Sequence, residues 1–505
     1  MQSPAFPALK RPGLVRALCL LFAATLSACG GGSSAPVANP PATPVGPGYT
    51  VVNLAPVNPL DHPQINARGE AAFSILRSAR YQGMFFDGTS TRDIGSLGGA
   101  STIVRSMNDQ GQVVGTSSKA SGRYHAFLWS CCMRDLGTLG GAEERESSEA
   151  FDINARGQVV GISSSNAPFN PGHAFLWTEA GGMQDLGTLS TMTGGGSIAK
   201  AINASGQVAG DFDVAVESIH AFMWSATAGS LDLGTLGGPE SFSVDINDAG
   251  QVVGNSTPTN AAERFLHAFV WSRQSGMVDL GTLGGAESNA AAMNSAGQVV
   301  GIAAGTDGVG HAFIWTQSGG MADLGTLGGN VSRALAINDR GQVGGSAEVA
   351  GGELHAFVWS AGSGMVDLNS RVLNAPPQLV LSEVLAIADN GMILAASDAG
   401  LVLLKPGSSG GPSPVVGAIT PAGPVPVGVP VVFSVSFNDT PAGETHGALW
   451  SWGDGSADTT GTVDEANGTA TGSHVFSSPG VYPILVKVTD SAGHATTVAR
   501  NVEAQ

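Results

Sequence analysis

Residues 153–164 read INARGQVVGISS, residues 173–177 read HAFLW, and residues 181–187 read GGMQDLG. Close copies of these three segments recur along most of the chain. The tripeptide His-Ala-Phe returns at intervals of 48, 47, 47, 44 and 44 residues, beginning at His125, His173, His220, His267, His311 and His355. A repeat period in the forties indicates an array of small structural units that stack on one another.

The pattern Asn-x-x-Gly recurs even more often than the tripeptide. It begins at Asn66, Asn108, Asn154, Asn203, Asn247, Asn294 and Asn338. A degenerate eighth copy at 388–391 has lost the asparagine. Asparagine bonds its own backbone and glycine tolerates a positive φ, so the pattern predicts a type I turn closed by glycine. The short, β-branched apolar runs on either side predict that this turn joins two strands.

Two further strands complete each repeat. HAFLW supplies the third, and MQDLGTL at 183–189 supplies the fourth. Four strands in about 45 residues is the size of one β-propeller blade, whereas β-helix coils are shorter and helical repeats need a 3.6-residue apolar spacing. The sequence therefore predicts an all-β protein with an eight-bladed β-propeller, and a seven-bladed one is the alternative.

The count of eight depends on pooling the two ends of the repeat region. The last unit ends with LVLLKP at 401–406, one strand short. The stretch YTVVNL at 49–54 resembles the fourth-strand segment GMVDLG at 276–281. Pairing it with the last unit would close the propeller and remove two exposed sheet edges, which are otherwise aggregation sites.

Together, HAFLW, INARGQVVG and DLGTLGG resemble the bacterial extracellular HAF-repeat family over about residues 49–406. The resemblance implies a repeat architecture and offers no catalytic motif to transfer. Two stretches depart from the pattern: GTLST at 187–191 lacks the paired glycines, and DLNSRVL at 367–373 runs into a longer connection.

Residues 1–28 have the features of a signal peptide. Lys10, Arg11 and Arg16 precede an apolar run at 17–28 that is too short for a permanent membrane span. The segment ends in Leu-Ser-Ala-Cys, which resembles a lipobox and implies that Cys29 carries the lipid anchor. Gly30, directly after the cysteine, resembles the residue that gives lipoproteins their default destination at the outer membrane. The sequence does not indicate which face of that membrane the protein occupies. An ordinary secretory signal, cut near Ala28, is the alternative.

Composition narrows the range of partners. Residues 29–48 are rich in Gly, Ser and Pro and are expected to be a disordered tether. The chain has a formal net charge of −18, and loss of the three basic leader residues makes it −21. Such acidity argues against nucleic acid as a partner. We expect an exported monomer that is held at the outer membrane, at the cell surface or on the periplasmic face.

The six repeated histidines favour a structural role. Equivalent positions on successive blades are spread around a ring, so they are not expected to converge on a metal. Each histidine is predicted to bond the Thr or Gly of DLGT within its own blade, as the structural histidine of WD-repeat propellers does. The tryptophan of each HAFLW segment is predicted to pack between blades, at Trp129, Trp177, Trp224, Trp271, Trp315 and Trp359. We expect no metal and no cofactor.

Cys131 and Cys132 are the cysteines that remain after the leader and lipid site are set aside. In an oxidising compartment this adjacent pair could form a vicinal disulfide, and two incidental thiols are the alternative. A run of glutamates at 143–149 predicts a solvated loop.

Residues 407–414 have the composition of a linker, and residues 415–505 are predicted to form a β-sandwich. LWSWGDGS at 449–456 and HVFSSPGVYPILVKVTDSAG at 474–493 resemble the PKD domain, an Ig-like module. By that resemblance Trp450 is the core tryptophan and residues 453–455 form a turn, while Ser451 stands where the family often has Asp.

Two classes of function fit these features. The first is a membrane-anchored binding or adhesion lipoprotein that presents propeller loops to a glycan, protein or matrix ligand. The second is a propeller-type carbohydrate-active hydrolase or lyase with carboxylates near the central channel. Repeats this uniform show little sign of the singular polar residues that an active site needs, so we expect a protein that is not an enzyme.

Overall fold

The computed structural model describes residues 48–57, 59, 63–140, 146–166, 172–190, 194–215, 218–259, 265–373, 378–406, 414–439, 446–465, 467–490 and 495–505. These residues form ten four-stranded sheets and one short 3-10 helix, Leu368–Arg371. The all-β prediction is therefore confirmed. The chain divides into two compact units, of which the first contains residues 51–405 and the second residues 406–505.

The first unit contains eight four-stranded sheets, which we number in chain order. Sheets 1 to 7 each take four consecutive antiparallel strands. Sheet 1 contains Gln64–Ile65, Ala71–Arg77, Arg80–Phe86 and Thr91–Asp93. Sheet 2 contains Gly98–Met107, Val113–Lys119, Tyr124–Trp129 and Met133–Asp135. Sheet 3 contains Ser148–Ile153, Val159–Ser164, Gly172–Thr178 and Gly182–Gly187. Sheet 4 contains Ser197–Ile202, Val208–Ala215, Ser218–Ser225 and Gly229–Asp232.

The next three sheets repeat this order. Sheet 5 contains Gly237–Ile246, Val252–Pro258, His267–Ser272 and Gly276–Asp279. Sheet 6 contains Gly284–Met293, Val299–Gly305, Gly310–Thr316 and Gly320–Asp323. Sheet 7 contains Gly328–Ile337, Val343–Val349, Leu354–Ser360 and Gly364–Asp367.

Sheet 8 combines the two ends of the repeat region. Its first three strands are Leu381–Ile387, Ile393–Ser397 and Gly400–Pro406, and its fourth is Tyr49–Ala55 from the start of the described chain. The strand borrowed from the N-terminal side therefore lies beside the last strand of the repeats, where the resemblance of YTVVNL to GMVDLG placed it.

A β-bulge shapes the first hairpin of sheets 2 to 8. In sheet 3, Asp152 pairs with Val160 but the next pair is Ala150 with Gly161, so Phe151 is an extra residue in the first strand. The bulge brings that strand's backbone close to its partner, and a β-carbon at Gly161 would lie 1.9 Å from the Glu149 carbonyl oxygen. This crowding explains the glycine of the repeated QVVG segment.

The apolar core of the first unit lies in layers between sheets. One layer joins Phe85 of sheet 1 to Phe127 and Trp129 of sheet 2, and the Phe85 and Trp129 ring centroids are 4.9 Å apart. Similar layers join sheets 2 and 3, 3 and 4, 4 and 5, 5 and 6, and 6 and 7. A further layer joins sheet 8 to sheet 1, with Leu54, Leu401 and Leu403 packed against residues that include Phe73 and Phe86.

The second unit has two four-stranded sheets. One contains Val415–Val416, Val431–Asn438, Thr469–His474 and Thr462–Asp464, and the other contains Thr459–Thr460, His446–Ser451, Gly480–Asp490 and Ala495–Ala504, each in spatial order. Their shared core contains Trp450, Trp452, Phe433 and Phe476, all fully buried. Alternating buried and exposed residues along Val431–Asn438 show the pattern of a strand with one face in the core.

Candidate binding face and its supporting network

Each Asn-x-x-Gly turn is held together by the asparagine side chain. In the turn at 154–157, Asn154 Oδ1 accepts hydrogen bonds from the backbone N–H of Arg156 at 2.9 Å and of Gln158 at 3.1 Å. The Gly157 N–H donates to the Asn154 carbonyl at 3.0 Å, and Gly157 has a φ of +71°. The predicted turn with a left-handed glycine is present.

The asparagine amide nitrogen connects each turn to the next sheet. Asn154 Nδ2 donates to Gln158 Oε1 at 2.9 Å and to the carbonyl of Asn203 in sheet 4 at 3.0 Å. The equivalent inter-sheet bond, at 3.0–3.5 Å, is made by Asn108, Asn203, Asn247, Asn294 and Asn338. These asparagines are buried, and a buried amide that uses its donors and acceptor in this way stabilises the packing of successive sheets.

A cavity of about 450 Å³ lies among these turns. Its lining includes residues from the turns of all eight sheets, from Asn66 and Ala67 of sheet 1 to Ala388 and Asp389 of sheet 8. An apolar layer lies beside the polar turns and contains Ile65, Ile202, Ile246, Met293, Ile337 and Ile387. The cavity therefore combines an apolar lining with many backbone and side-chain polar groups.

Four exposed aspartates line this cavity, and each is fixed by the neighbouring turn. Asp248 Oδ1 accepts from the Ala204 N–H at 2.8 Å, and Asp389 Oδ1 accepts from the Asp339 N–H at 2.8 Å. Asp109 and Asp339 accept in the same way from Ala67 and Ser295, at 3.1 and 2.9 Å. One oxygen of each carboxylate is thus committed to the protein backbone, which orients the other.

The six repeated histidines each bond an aspartate of the fourth strand. His173 Nδ1 lies 2.9 Å from Asp185 Oδ2, and the other histidines pair at 2.7–3.0 Å with Asp135, Asp232, Asp279, Asp323 and Asp367. The prediction of a Thr or Gly partner was wrong. In sheet 2 and sheets 4 to 7 the fourth strand ends at its aspartate. In sheets 2 to 6 the aspartate Oδ1 accepts from the N–H of the glycine two residues later, as from Gly234 at 2.8 Å.

These contacts lower the pKa of two of the aspartates, Asp185 and Asp135. Burial alone would raise the pKa of Asp185, but the hydrogen bonds from His173 and Gly187 outweigh it and bring the pKa below the ordinary value. Asp135 shows the same balance, with Gly137, His125 and Lys119 as its partners. Both carboxylates therefore stay ionised, as suits acceptors in a structural hydrogen-bond network.

A serine of the following sheet completes this network. Ser148 Oγ accepts from the Ala126 N–H at 2.9 Å and donates to the Gly137 carbonyl at 2.6 Å. The same pair of bonds recurs at Ser197, Ser241, Ser288 and Ser332. The His-Ala-Phe tripeptide is therefore joined both within its sheet and to the next one.

The repeated tryptophans lie between sheets. Trp129, Trp177, Trp224 and Trp271 are 4–7% exposed, and each belongs to an apolar layer that includes the preceding sheet. Trp315 and Trp359 pack against equivalent layers. Two arginines cover the neighbouring ring: Arg92 of sheet 1 stacks 5.1 Å from the Trp129 ring centre and Arg134 of sheet 2 stacks 4.9 Å from that of Trp177.

Two half-buried aspartates stand out on the first strands. Asp152 Oδ1 accepts from Ser106 Oγ and from the Ile153 N–H, both at 2.8 Å, and its Oδ2 accepts from the Ile202 N–H of the next sheet at 2.9 Å. Burial raises the pKa of Asp152. Burial, together with repulsion from Asp152, raises the pKa of Asp245 to about 6 against the hydrogen bond from Ile246.

Sequence reasoning did not single out these two carboxylates, although a signal existed. Sister repeats have Ala201, Ala292, Ala336 and Ala386 at the same position, two residues before the turn asparagine or its substitute. The first two repeats have Gln64 and Ser106 there, so a charged residue departs from a position that is otherwise uncharged. That signal is visible only when the repeats are aligned residue by residue.

Cys131 and Cys132 lie in the turn between the third and fourth strands of sheet 2, and both are exposed. Their sulfurs are 2.9 Å apart, and no disulfide joins them. Glu146 comes within 3.8 Å of His125 Nε2, and residues 141–145, with Glu143 and Glu144, lie outside the described residues.

The second unit contains its own histidine–carboxylate contacts. His446 lies between Asp439 at 3.0 Å and Glu465 at 2.9 Å, with its ring 4.5 Å from that of Phe437. His474 bonds Asp454 at 2.7 Å and stacks on Trp452. Burial would raise the pKa of Asp454, but Ser456 and His474 lower it to about 2. Trp450 is buried as predicted, and Trp452 stacks against it with ring centroids 5.5 Å apart.

Several predicted features fall outside the described residues: the leader, Cys29 with its lipid, and the tether up to residue 47. In the part of the chain that is described, no group of three or more His, Cys, Asp or Glu side chains is arranged to hold a metal ion. Within the same part, no helix has the length and apolar character needed to cross a bilayer.

Comparison with known protein families identifies a domain in the second unit: residues 412–504 match the PKD domain. The predicted PKD resemblance is therefore confirmed. No curated protein sequence matches the chain.

Solved structures give further matches of low overall similarity. The extracellular domain of a hybrid two-component system from B. thetaiotaomicron is 11% identical, with 88% of this chain and 67% of that chain covered and a TM-score of 0.31. The SapL1 lectin in complex with α-methyl fucoside is 11% identical, with 66% and 97% covered and a TM-score of 0.27. A Ca²⁺-stabilised ice-binding adhesin of an Antarctic bacterium is 14% identical, with 91% and 100% covered and a TM-score of 0.16.

Proposed function

We propose that the protein is a membrane-anchored extracytoplasmic binding or adhesion lipoprotein whose residues 49–406 form a closed eight-bladed β-propeller. Support for the architecture comes from the apolar layers between consecutive sheets from sheet 1 to sheet 7 and from the layer between sheets 8 and 1. A further contact between the two ends is the hydrogen bond from Asn390 Nδ2 to the Ala67 carbonyl, at 2.7 Å. Eight turns around one cavity fit blades that meet at a common axis.

The observation that carries the binding role is the cavity formed by the eight turns. Asp109, Asp248, Asp339 and Asp389 line it with carboxylates that the backbone holds in place. A pre-oriented acceptor loses little conformational entropy on binding. Such acceptors suit the hydroxyl groups of a glycan or the donor groups of a protein ligand, and the apolar layer beside them can take a sugar ring face or an aliphatic side chain.

The remaining parts of the chain fit an exported anchor protein. The lipobox-like segment that ends at Cys29 would hold the chain on the outer membrane, and the Gly/Ser/Pro-rich stretch at 29–48 would act as the tether. An Ig-like PKD domain at 412–504 would extend or add to the binding surface. The mature charge of −21, from −18 less three leader cations, disfavours nucleic acid.

A binding screen on the mature, lipid-free chain tests this proposal. The chain is applied to a glycan array and to a panel of matrix proteins, and hits are measured by calorimetry. Asp248→Asn keeps the acceptor for Ala204 and removes one cavity charge, whereas Glu353→Gln removes one charge at an exposed side chain outside the cavity lining. We expect Asp248→Asn to weaken the hit about fivefold or more and Glu353→Gln to leave it unchanged. If wild type, Asp248→Asn and Glu353→Gln bind the ligand with equal affinity, the cavity is excluded as the binding site.

The second candidate is a carbohydrate-active hydrolase or lyase, and Asp152 and Asp245 are the observation in its favour. A carboxyl group with a pKa of about 6 is close to the value that suits a general acid at neutral pH. Against it, Asp152 is already bonded to three protein groups, which fits a structural role. A broad glycosidase and lyase screen on wild type and Asp245→Asn separates the two. Turnover that Asp245→Asn abolishes would favour the enzyme.

A further inference from the structure

The turn that carries Cys131 and Cys132 is shorter than its counterparts. In sheet 2, Trp129 pairs with Met133, so three residues form the turn. In sheets 3, 5, 6 and 7 the equivalent tryptophan pairs with a methionine six residues later, so five residues connect the two, and the first and last of these five are themselves paired, as Thr178 is with Gly182. These longer turns end in a left-handed glycine, as at Gly182 and Gly276, whereas Cys132 stands at that place in sheet 2. The short turn therefore presents two adjacent cysteines at the edge of the sheet.

The thiols of Cys131 and Cys132 are in direct contact. Their sulfurs lie 2.9 Å apart on an exposed turn. A hydrogen bond with Cys131, and then its charge, raise the pKa of the Cys132 thiol. Arg134 is the nearest cation along the chain, and it is engaged by Glu179 and the Trp177 ring. The sulfurs are therefore available to an external group that can bind both.

We propose that Cys131 and Cys132 form a vicinal dithiol site that captures soft trivalent groups, of which monosubstituted arsenicals are the matching class. Two thiolate sulfurs that each bond one central atom at about 2.3 Å lie roughly 3.3 Å apart when the angle at that atom is a right angle. They lie roughly 4.6 Å apart when the central atom is linearly coordinated. The observed 2.9 Å is closer to the right-angle value than to the linear one. Since no third ligand converges here among the described residues, the captured group must bring its own third substituent.

The binding step conserves atoms and charge. An organoarsenic oxide, R–As=O, reacts with the two thiols to give R–As(S–Cys131)(S–Cys132) and one water. Two As–S bonds form, the As=O bond breaks, and the two thiol protons leave in the water. Nothing is oxidised or reduced. Capture also fits the preference of thiolates for soft ions, and it does not depend on the proposed ligand cavity.

Phenylarsine oxide is the probe for this site. The mature chain carrying Cys29→Ser, in which Cys131 and Cys132 are the remaining cysteines, is reduced with a phosphine and freed of it. We expect intact mass to show one phenylarsenic adduct per chain. Alkylatable thiols should fall from two to none. The adduct should survive excess monothiol and be released by a small dithiol.

Single variants supply the matched controls. Cys131→Ser and Cys132→Ser each keep one thiol on the same exposed turn, so both should bind the probe at least tenfold more weakly, with the melting temperature of wild type. Failure of reduced wild type, with two alkylatable thiols, to form the adduct would overturn the proposal. A single variant that binds as tightly as wild type would also overturn it.

Discussion

The side-chain amide of Asn390 donates a hydrogen bond to the carbonyl of Ala67 at 2.7 Å, so the last turn of the repeat region is joined to the first. Asn390 does this two residues after the place where the turn asparagine has been replaced by Ala388. The Nδ2 of Asn66 is meanwhile directed to Glu70 Oε2 at 2.6 Å. The contact between the ends of the repeats is thus made by a different side chain from the contacts between the other turns.

Deleting residues 49–54 should leave an aggregation-prone protein. The deletion exposes the edge of Gly400–Pro406 and the apolar layer to which Leu54 belongs, and unpaired edges template intermolecular pairing. Size-exclusion chromatography and thermal melting measure the result. Deletion of six residues from the stretch at 33–38 is the length-matched control and should change neither. A soluble monomer of the 49–54 deletion with an unchanged melting temperature would count against closure by this strand.

The glycine opposite the bulge should not tolerate a methyl group. A β-carbon at Gly345 would lie 2.0 Å from the Arg333 carbonyl oxygen, so Gly345→Ala must push the first two strands of sheet 7 apart. We expect a loss of about 1–3 kcal/mol in the free energy of unfolding. Gly351→Ala is the control, since nothing lies within 4 Å of its built β-carbon. Denaturant melts of the two variants should differ clearly, and equal stability would show that the bulge can relax.

Removing one repeated histidine should lower stability without affecting metal content. His220 Nδ1 bonds Asp232 at 3.0 Å, and both side chains are partly exposed, so His220→Ala should cost about 1 kcal/mol. Thermal melting and metal analysis of the purified protein are the measurements. Asp232→Asn, which keeps an oxygen acceptor, should cost less. Loss of a stoichiometric metal in the alanine variant would disprove the structural role.

The sequence predicted most of the strand order because the repeat and its turns are local signals. Asn154 and Gly157 determine a hairpin within four residues, so their role is readable without tertiary information. The histidine partner was not readable, because a register shift between Ala174 and Phe175 changes which fourth-strand residue faces His173. The cavity was equally hidden, since its lining comes from turns that are distant in sequence and meet only when the sheets pack.

The second unit should lose stability as pH rises past neutrality. Burial would lower the pKa of His446, but Glu465 and Asp439 outweigh burial and raise it above the ordinary value. A histidine with a raised folded-state pKa stabilises the fold fully below about pH 6.5, the unfolded value, and loses this contribution as pH rises through the folded pKa. In calorimetry of the full chain, His446→Gln should flatten the pH dependence of the transition above about pH 6.5, the unfolded value. An identical pH profile in wild type and variant would contradict this.

Asp245 should behave in the opposite way to the histidine-paired aspartates Asp135 and Asp185. Its pKa is raised, so its negative charge destabilises the folded state. Its pKa is about 6, against about 3.9 in an unfolded chain, so the protonated carboxyl stabilises the fold at low pH and this contribution is lost as pH rises through 6. Asp245→Asn keeps an oxygen to accept from Ile246, which donates at 2.7 Å, and removes the charge, although it gives up one of the two carboxylate oxygens that accept from the Ile246 and Met293 N–H groups. We expect this variant to be more stable than wild type at pH 7.5 by about 1–3 kcal/mol, and the two proteins to converge near pH 4. Denaturant melts at the two pH values measure the difference. A variant that is less stable at pH 7.5 would show that the ionised carboxylate is needed by a partner that asparagine cannot serve.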